Sequence, residues 1–164
     1  MKPTRSCEVF IDGASRGNPG PSGIGVVFVD ARGAAGRQLS RYVGETTNNV
    51  AEYLALLYAL QQALRDGCTA LTVHTDSELL ARQLNGQYRV RDPRLRLFHD
   101  LALELAKGFA RFSIQHIPRG RNAQADRLAG AAVKSHQKKT APSIPQISKG
   151  DFADRTENLF FSSA

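Results

Sequence analysis

Apolar and polar positions alternate in short runs over the first part of the chain. Residues 6–12 (Ser-Cys-Glu-Val-Phe-Ile-Asp) read as a strand, and residues 23–30 (Gly-Ile-Gly-Val-Val-Phe-Val-Asp) as a second, strongly β-branched one. Asp-Ala-Arg-Gly at 30–33 is a turn, and residues 36–43 alternate as an edge strand would. Three strands with short connections predict an antiparallel meander. From residue 49 the period lengthens. Val50, Tyr53, Leu54, Leu57, Leu60 and Leu64 recur at three and four, which predicts a helix to Arg65. Thr47 or Asn48 can cap its start and Gly67 can end it. A fourth strand follows at 70–75, a short helix at 77–84, and a helix opened by Pro93 at 93–107. A fifth strand spans 111–117, and Asn122 caps a last helix to about His136. The order βββαβααβα, with strand–helix–strand crossovers, predicts an α/β fold: a five-stranded mixed sheet with helices on both faces. Residues 137–164 carry neither period and read as a flexible C-terminal tail, leaving one domain over 1–136.

Composition narrows the setting. A chain of 164 residues that is 41% hydrophobic builds one core. It has no run of eighteen apolar residues, so no membrane-spanning helix is expected, and the start Met-Lys-Pro-Thr-Arg-Ser lacks the apolar segment of a secretory signal. The expectation is a cytoplasmic monomer. Cys7 and Cys68 sit in apolar contexts and read as reduced core residues rather than a disulfide. The net charge is +7, and before residue 134 seventeen Lys/Arg, fifteen of them Arg, face twelve Asp/Glu. That bias suits a phosphate-bearing partner such as nucleic acid, although plain solubility also accounts for it.

The acids change the picture further. Asp12 ends the first strand and Asp76 the fourth, in His-Thr-Asp-Ser-Glu. Glu52 falls in the first turn of the long helix and Asp126 in the first turns of the last one. Sites in open α/β sheets lie beyond the C-terminal ends of parallel strands, so Asp12 and Asp76 become neighbours if strands one and four pair. Singly, each has an ordinary explanation: an Asx turn, a helix cap, or a favourable charge at a helix N-terminus. Together they would repel one another, each pair at ~4 Å costing about 1 kcal/mol in water and ~4 kcal/mol when partly shielded. A divalent cation removes that cost, and all-oxygen ligands suit Mg²⁺ or Mn²⁺. Zinc is not indicated, since neither cysteine has a Cys or His companion at finger spacing. After Asp12 come four glycines and two prolines within eleven residues. The glycines allow another backbone to approach, and the amides from Gly13 to Gly17 are candidates to bind hydroxyls or phosphates.

The segments Asp-Gly-Ala-Ser-Arg-Gly-Asn-Pro-Gly-Pro-Ser-Gly-Ile-Gly from Asp12, Thr-Thr-Asn-Asn-Val-Ala-Glu-Tyr from Thr46, Thr-Asp-Ser-Glu-Leu-Leu from Thr75 and Asn-Ala-Gln-Ala-Asp-Arg-Leu-Ala from Asn122 occur in that order. Together they resemble type 1 ribonuclease H over residues 6 to about 135. The first two are long and specific, the last two weak alone. The resemblance implies a metal-dependent endonuclease that cuts the RNA strand of an RNA/DNA hybrid. It implies two Mg²⁺ ions (Mn²⁺ in the alternative) held by the positions matching Asp12, Glu52, Asp76 and Asp126, with 5′-phosphate and 3′-hydroxyl products. It makes Gly13, Asn18 and Asn49 candidates for sensing the 2′-hydroxyl, and puts Thr47 and Asn48 near the substrate, Thr47 toward a DNA-strand phosphate.

The chain also departs from that family. A loop histidine before the last acid is common there; here the stretch is His-Ile-Pro-Arg-Gly-Arg-Asn-Ala-Gln-Ala-Asp, and His116 reads as the end of a strand. Arg119 or Arg121 is the substitute candidate. Glu78 stands where glutamine is frequent. The protruding basic handle of some bacterial members is missing, which resembles the handle-less bacterial, archaeal or plant-like branch. In its place Arg89, Arg91, Arg94 and Arg96 lie close together and are expected to track the DNA strand, a solvated face being the plainer reading. Two alternatives stay open: a same-fold nuclease for double-stranded RNA or RNA–DNA junctions, and a non-catalytic hybrid-binding module.

Overall fold

The computed structural model describes residues 3–141. The order is β1 (Ser6–Ser15), β2 (Gly20–Val29), β3 (Ala35–Thr46), α1 (Asn48–Arg65), β4 (Ala70–Thr75), α2 (Glu78–Leu84), α3 (Pro93–Ala106), β5 (Arg111–His116) and α4 (Ala123–Thr140), with a short 3₁₀ turn Arg119–Arg121 before α4. The sheet runs β3-β2-β1-β4-β5. β1, β2 and β3 form the expected antiparallel meander, and β1–β4 and β4–β5 are parallel. The α1 crossover between β1–β3 and β4 accounts for the switch.

Helices lie on both faces. α1 packs on β1 and β2 with α3 behind it, and α4 covers β1, β2 and β3 from the other side. Between α1 and the sheet sits the core, where Val9, Ile11, Ile24, Leu56, Leu60 and Val73 are almost wholly excluded from solvent. The three- and four-residue spacing of α1 and the two-residue spacing of β1 and β4 put these side chains into one layer. On the opposite face the fit depends on small residues. A Cβ at Gly23 would stand 2.4 Å from the Ala129 carbonyl oxygen, and one at Gly25 would stand 2.0 Å from that of Ala125. Two glycines one pleat apart therefore let α4 lie directly on β2.

Three expectations are corrected. Cys7 and Cys68 are joined in a disulfide, with Cα atoms 6.1 Å apart. Cys7 stands near the start of β1 and Cys68 just ahead of β4, so parallel pairing of the two strands brings them together. The bridge closes a loop across 61 positions, worth about 4 kcal/mol in the loop-closure account. α4 continues through residues 137–140, which the sequence assigned to the tail; the tail from 142 onward lies outside the described residues. Asn122 stands at the N-terminus of α4 but makes no capping hydrogen bond with its side chain.

Candidate active site

β1 and β4 run parallel with Ile11 opposite Thr75, so the next residues, Asp12 and Asp76, stand side by side at one level. Asp76 follows the end of β4, but Asp12 does not end its strand as expected, because β1 runs on to Ser15 against β2. β4 and the pairing of β1 with it both stop there, which opens the sheet beside the two carboxylates. Glu52 arrives from α1, as its fifth residue rather than in the first turn, because the helix starts at Asn48. α1 comes this close because position 13 has no side chain. A Cβ on Gly13 would meet the Ala51 carbonyl carbon and the Glu52 nitrogen, both at 2.4 Å.

Carboxylate oxygens of Asp12, Glu52 and Asp76 lie within 4.8 Å of one another. Asp12 and Glu52 are each 4% exposed, whereas Asp76 is half-buried. The fourth acid, Asp126, is outside this triad. Its Oδ1 accepts from the Arg119 guanidinium at 3.1 Å, while its charge still acts on Asp12. Asn122 anchors the start of α4, its Nδ2 donating to the Ile11 carbonyl at 2.8 Å, one residue before Asp12.

The electrostatics are those of crowded acids. Burial pushes the Asp12 carboxyl from 3.8 up to about 7, with the charges of Asp76 and then Asp126 adding to it. Burial also raises Glu52 well above the carboxylate range, and Asp12 and Asp76 add to that. The two carboxyls share a hydrogen bond, and the Gly13 amide hydrogen-bonds to Glu52. Glu52 Oε2 and Asp76 Oδ2 are buried without any hydrogen-bond partner. Buried acceptors left unpaired are costly, and here they belong to hard oxygen donors in an excess of negative charge. That donor set fits a Mg²⁺-like divalent ion, and the half-buried Asp76 and Asp126 leave a side open to water and phosphate.

Compared with known proteins, residues 10–132 match the family described as reverse transcriptase-like. The chain is 42% identical to ribonuclease HI of Halobacterium salinarum over 135 residues, 81% of this chain and 68% of that protein. This chain belongs to the ribonuclease H family. A bifunctional protein of Mycobacterium tuberculosis is 41% identical over 123 residues, 74% of this chain; the match spans 34% of that longer protein. The crystal structure of RNase H1 from Halobacterium salinarum aligns with a TM-score of 0.77 at 41% identity, over 79% of this chain and 98% of that one. LC11-RNase H1 in complex with an RNA/DNA hybrid aligns with a TM-score of 0.76 at 39% identity, over 79% and 98%.

In this ribonuclease H the glycine-rich loop and the start of α1 form one surface beside Glu52. Asn18 Oδ1 accepts from the Asn48 amide at 3.1 Å, so the loop supplies a cap to the helix from outside it. Thr47 is the N-cap, its hydroxyl accepting from the Val50 amide at 3.3 Å. Ser15 and Ser22 both donate to the Thr46 carbonyl, at 3.0 and 3.1 Å. Asn18, Asn48 and Asn49 remain exposed. Gly13 lies directly against the Ala51 and Glu52 backbone of α1. Arg119, on the 3₁₀ turn, has an 80% exposed side chain next to Asp126. Arg89 and Arg91 are exposed on the connection between α2 and α3 and form no ion pair with the acids. Glu78 is taken up by Arg82 at 2.8 Å. His116 closes β5 in register with Thr75, adjoining Asp76. The sequence reading missed Asn122 as a strap to β1. It also missed the paired glycines of β2, although Gly23 and Gly25 facing Ala125 and Ala129 were a signal that two backbones meet.

The raised acids set a pH dependence. Between about 4 and about 7 the folded chain keeps protons that the unfolded chain has released, so the stability they contribute is full below the unfolded value and lost as pH rises through about 7. Metal-free protein should therefore melt at lower temperature at pH 8 than at pH 5. Mg²⁺ should raise the melting temperature at pH 8 and do little at pH 5, where protons occupy the site. A Mg²⁺ response equal at both pH values would contradict the shared-proton reading.

Proposed function

We propose that this chain is a divalent-metal-dependent endoribonuclease that hydrolyses the RNA strand of RNA/DNA hybrids and leaves 5′-phosphate and 3′-hydroxyl ends. The observation that carries the reading is the convergence of Asp12, Glu52 and Asp76 with two buried, unpartnered oxygens at the end of the parallel strands. The hybrid-bound relative supports the substrate class. Asp12, Glu52, Asp76 and Asp126 would hold two Mg²⁺ ions, with Mn²⁺ as the substitute. When bound, such ions supply an activated water and neutralise charge on the attacking and leaving oxygens of an in-line displacement.

The chain's own residues do the rest. Asp12 and Glu52, fixed by burial, keep the negative field in place before substrate arrives. Arg119, held by Asp126, stands ready to donate to the scissile phosphate where many relatives have a loop histidine. Asn18, Asn49 and the glycine-rich loop sense the 2′-hydroxyl, a donor and acceptor that DNA lacks. Thr47 and Asn48 take a backbone phosphate, and Arg89 and Arg91, with Arg94 and Arg96, follow the DNA strand. All four acids come from one chain, which supports action as a monomer.

A second reading rests on Arg119 in place of that histidine: the same fold acting on double-stranded RNA or on RNA–DNA junctions. A labelled-duplex panel with Mg²⁺ and then EDTA separates the readings. Hybrid RNA should be cut with Mg²⁺ and left intact with EDTA. Faster cutting of double-stranded RNA or junctions favours the second reading, and binding without cutting refutes both. Replacing the four arginines together by Gln should flatten the slope of log affinity against log salt by ~3–4 if each contacts a phosphate. An unchanged slope removes the arginine cluster from the interface.

A further inference from the structure

Tyr88, Leu97, Leu101 and Leu103 are the large apolar side chains left exposed among the described residues, at 45%, 72%, 50% and 37%. All belong to α3 or the segment just before it. Leu97 and Leu101 stand one turn apart on the helix surface. Tyr88 and Leu103, with Leu84 and Val90, wall a groove of about 530 Å³ that Arg89, Arg96, His99 and one acid, Asp100, also line; Leu97 and Leu101 lie outside it. Of the nearby arginines at 89, 91, 94 and 96, only Arg94 forms an ion pair among the described residues, with Asp92 at 3.9 Å. A groove with apolar walls and two arginines against one acid along it suits an acidic segment that carries large apolar side chains.

The chain contains such a segment. Residues 151–161 read Asp-Phe-Ala-Asp-Arg-Thr-Glu-Asn-Leu-Phe-Phe, three acids to one arginine, with Phe152, Leu159, Phe160 and Phe161. α4 hands the chain on at Ala141. From there to residue 158 an extended chain reaches at most ~60 Å, against a diameter of ~37 Å for a domain of this size. We propose that residues 151–161 dock in the α3 groove and compete with nucleic acid for Arg89 and Arg96, a built-in brake on hybrid binding. The brake rests on the arginine contacts of the proposed function; the docking does not. A tether of this kind gives an effective concentration of ~1 mM, so an affinity of only ~0.3 mM for the free segment would keep about three-quarters of the molecules docked. Hybrid would then bind about fourfold more weakly than to an undocked chain.

The test uses the full chain and the triple variant Leu159→Ser, Phe160→Ser, Phe161→Ser. The variant should show a hybrid KM about fourfold lower at unchanged kcat, and shifted NMR methyl signals for Leu84 and Leu103, the leucines that line the groove. A synthetic peptide of residues 151–164 added to the variant should restore both. Methyl signals that ignore the substitutions and the peptide overturn the docking, as do signals that move with protein concentration, which would mark a second copy in the groove. A methyl response with unaltered KM overturns the brake. The methyl readout needs no cleavage, so its failure stays separate from failure of the hybrid reading.

Discussion

Asp12→Asn should lower single-turnover hybrid cleavage by about 10³-fold or more while raising the melting temperature of the metal-free protein. The two effects share one cause. Asp12 is 4% exposed and faces Glu52 and Asp76 within 4.8 Å, so its ionised form is unfavourable unless a cation is present. Its carboxyl is pushed to about 7, first by burial. At pH 8 the metal-free protein carries that charge at a cost, and Asn, of the same shape, removes it. The same change deletes an oxygen anion from the proposed metal site, where transition-state charge stabilisation amounts to several kcal/mol; a 10³-fold loss corresponds to about 4 kcal/mol. Melting with and without Mg²⁺ should show a reduced Mg²⁺ response in the variant. Cleavage within tenfold of the parent would take Asp12 out of the metal site. Opposite movement of activity and stability is what a site strained for function produces.

Much of this site was legible because it depends on strand ends and helix starts, which leave local marks. The end of β4 marks Asp76 and the break in period at α1 announces Glu52, whereas Asp12, expected to end β1, lies inside it, and only the pairing of β1 with β4 stops there. Parallel pairing of β1 with β4 then makes two of the acids neighbours. What was not legible depends on register or on contacts between distant elements. Cys7 and Cys68 meet only because β1 and β4 pair side by side, which neither cysteine's surroundings reveal. Asn122 looked like a helix cap because caps are local; its partner, the Ile11 carbonyl, is 111 positions away. Asp126 stands outside the triad yet close enough for its charge to act on Asp12, and its hydrogen bond from Arg119, seven residues earlier, left no mark in the pattern. β2 begins at Gly20, earlier than the pattern suggested, because Gly20 and Pro21 read as turn residues yet pair with Thr46 and Glu45 just ahead of α1.

Gly13→Ala should disable the enzyme without touching an acid. The new methyl would meet the Ala51 carbonyl carbon and the Glu52 nitrogen at 2.4 Å and the Ala51 oxygen at 2.7 Å. All three are backbone atoms, so no side-chain rotation relieves the clash, and α1 must move off β1. Overpacking of this kind costs ~1–3 kcal/mol or more, and the melting temperature should fall by about 5–15 °C. The helix carries Glu52 with it, and the Gly13 amide that hydrogen-bonds to its carboxylate shifts as well. A displacement of ~1 Å at a positioned catalytic group costs about 10²-fold in kcat. Gly130→Ala is the matched control. That glycine lies within α4 with open space around its missing Cβ, so the substitution should be neutral or stabilise by up to ~1 kcal/mol. The comparison asks for kcat, melting temperature and Mg²⁺ response of both variants. Wild-type values for Gly13→Ala would mean that the approach of α1 to β1 does not set the position of Glu52. Loss of activity in that variant with Gly130→Ala unimpaired would tie the acid cluster to the one point where two backbones touch.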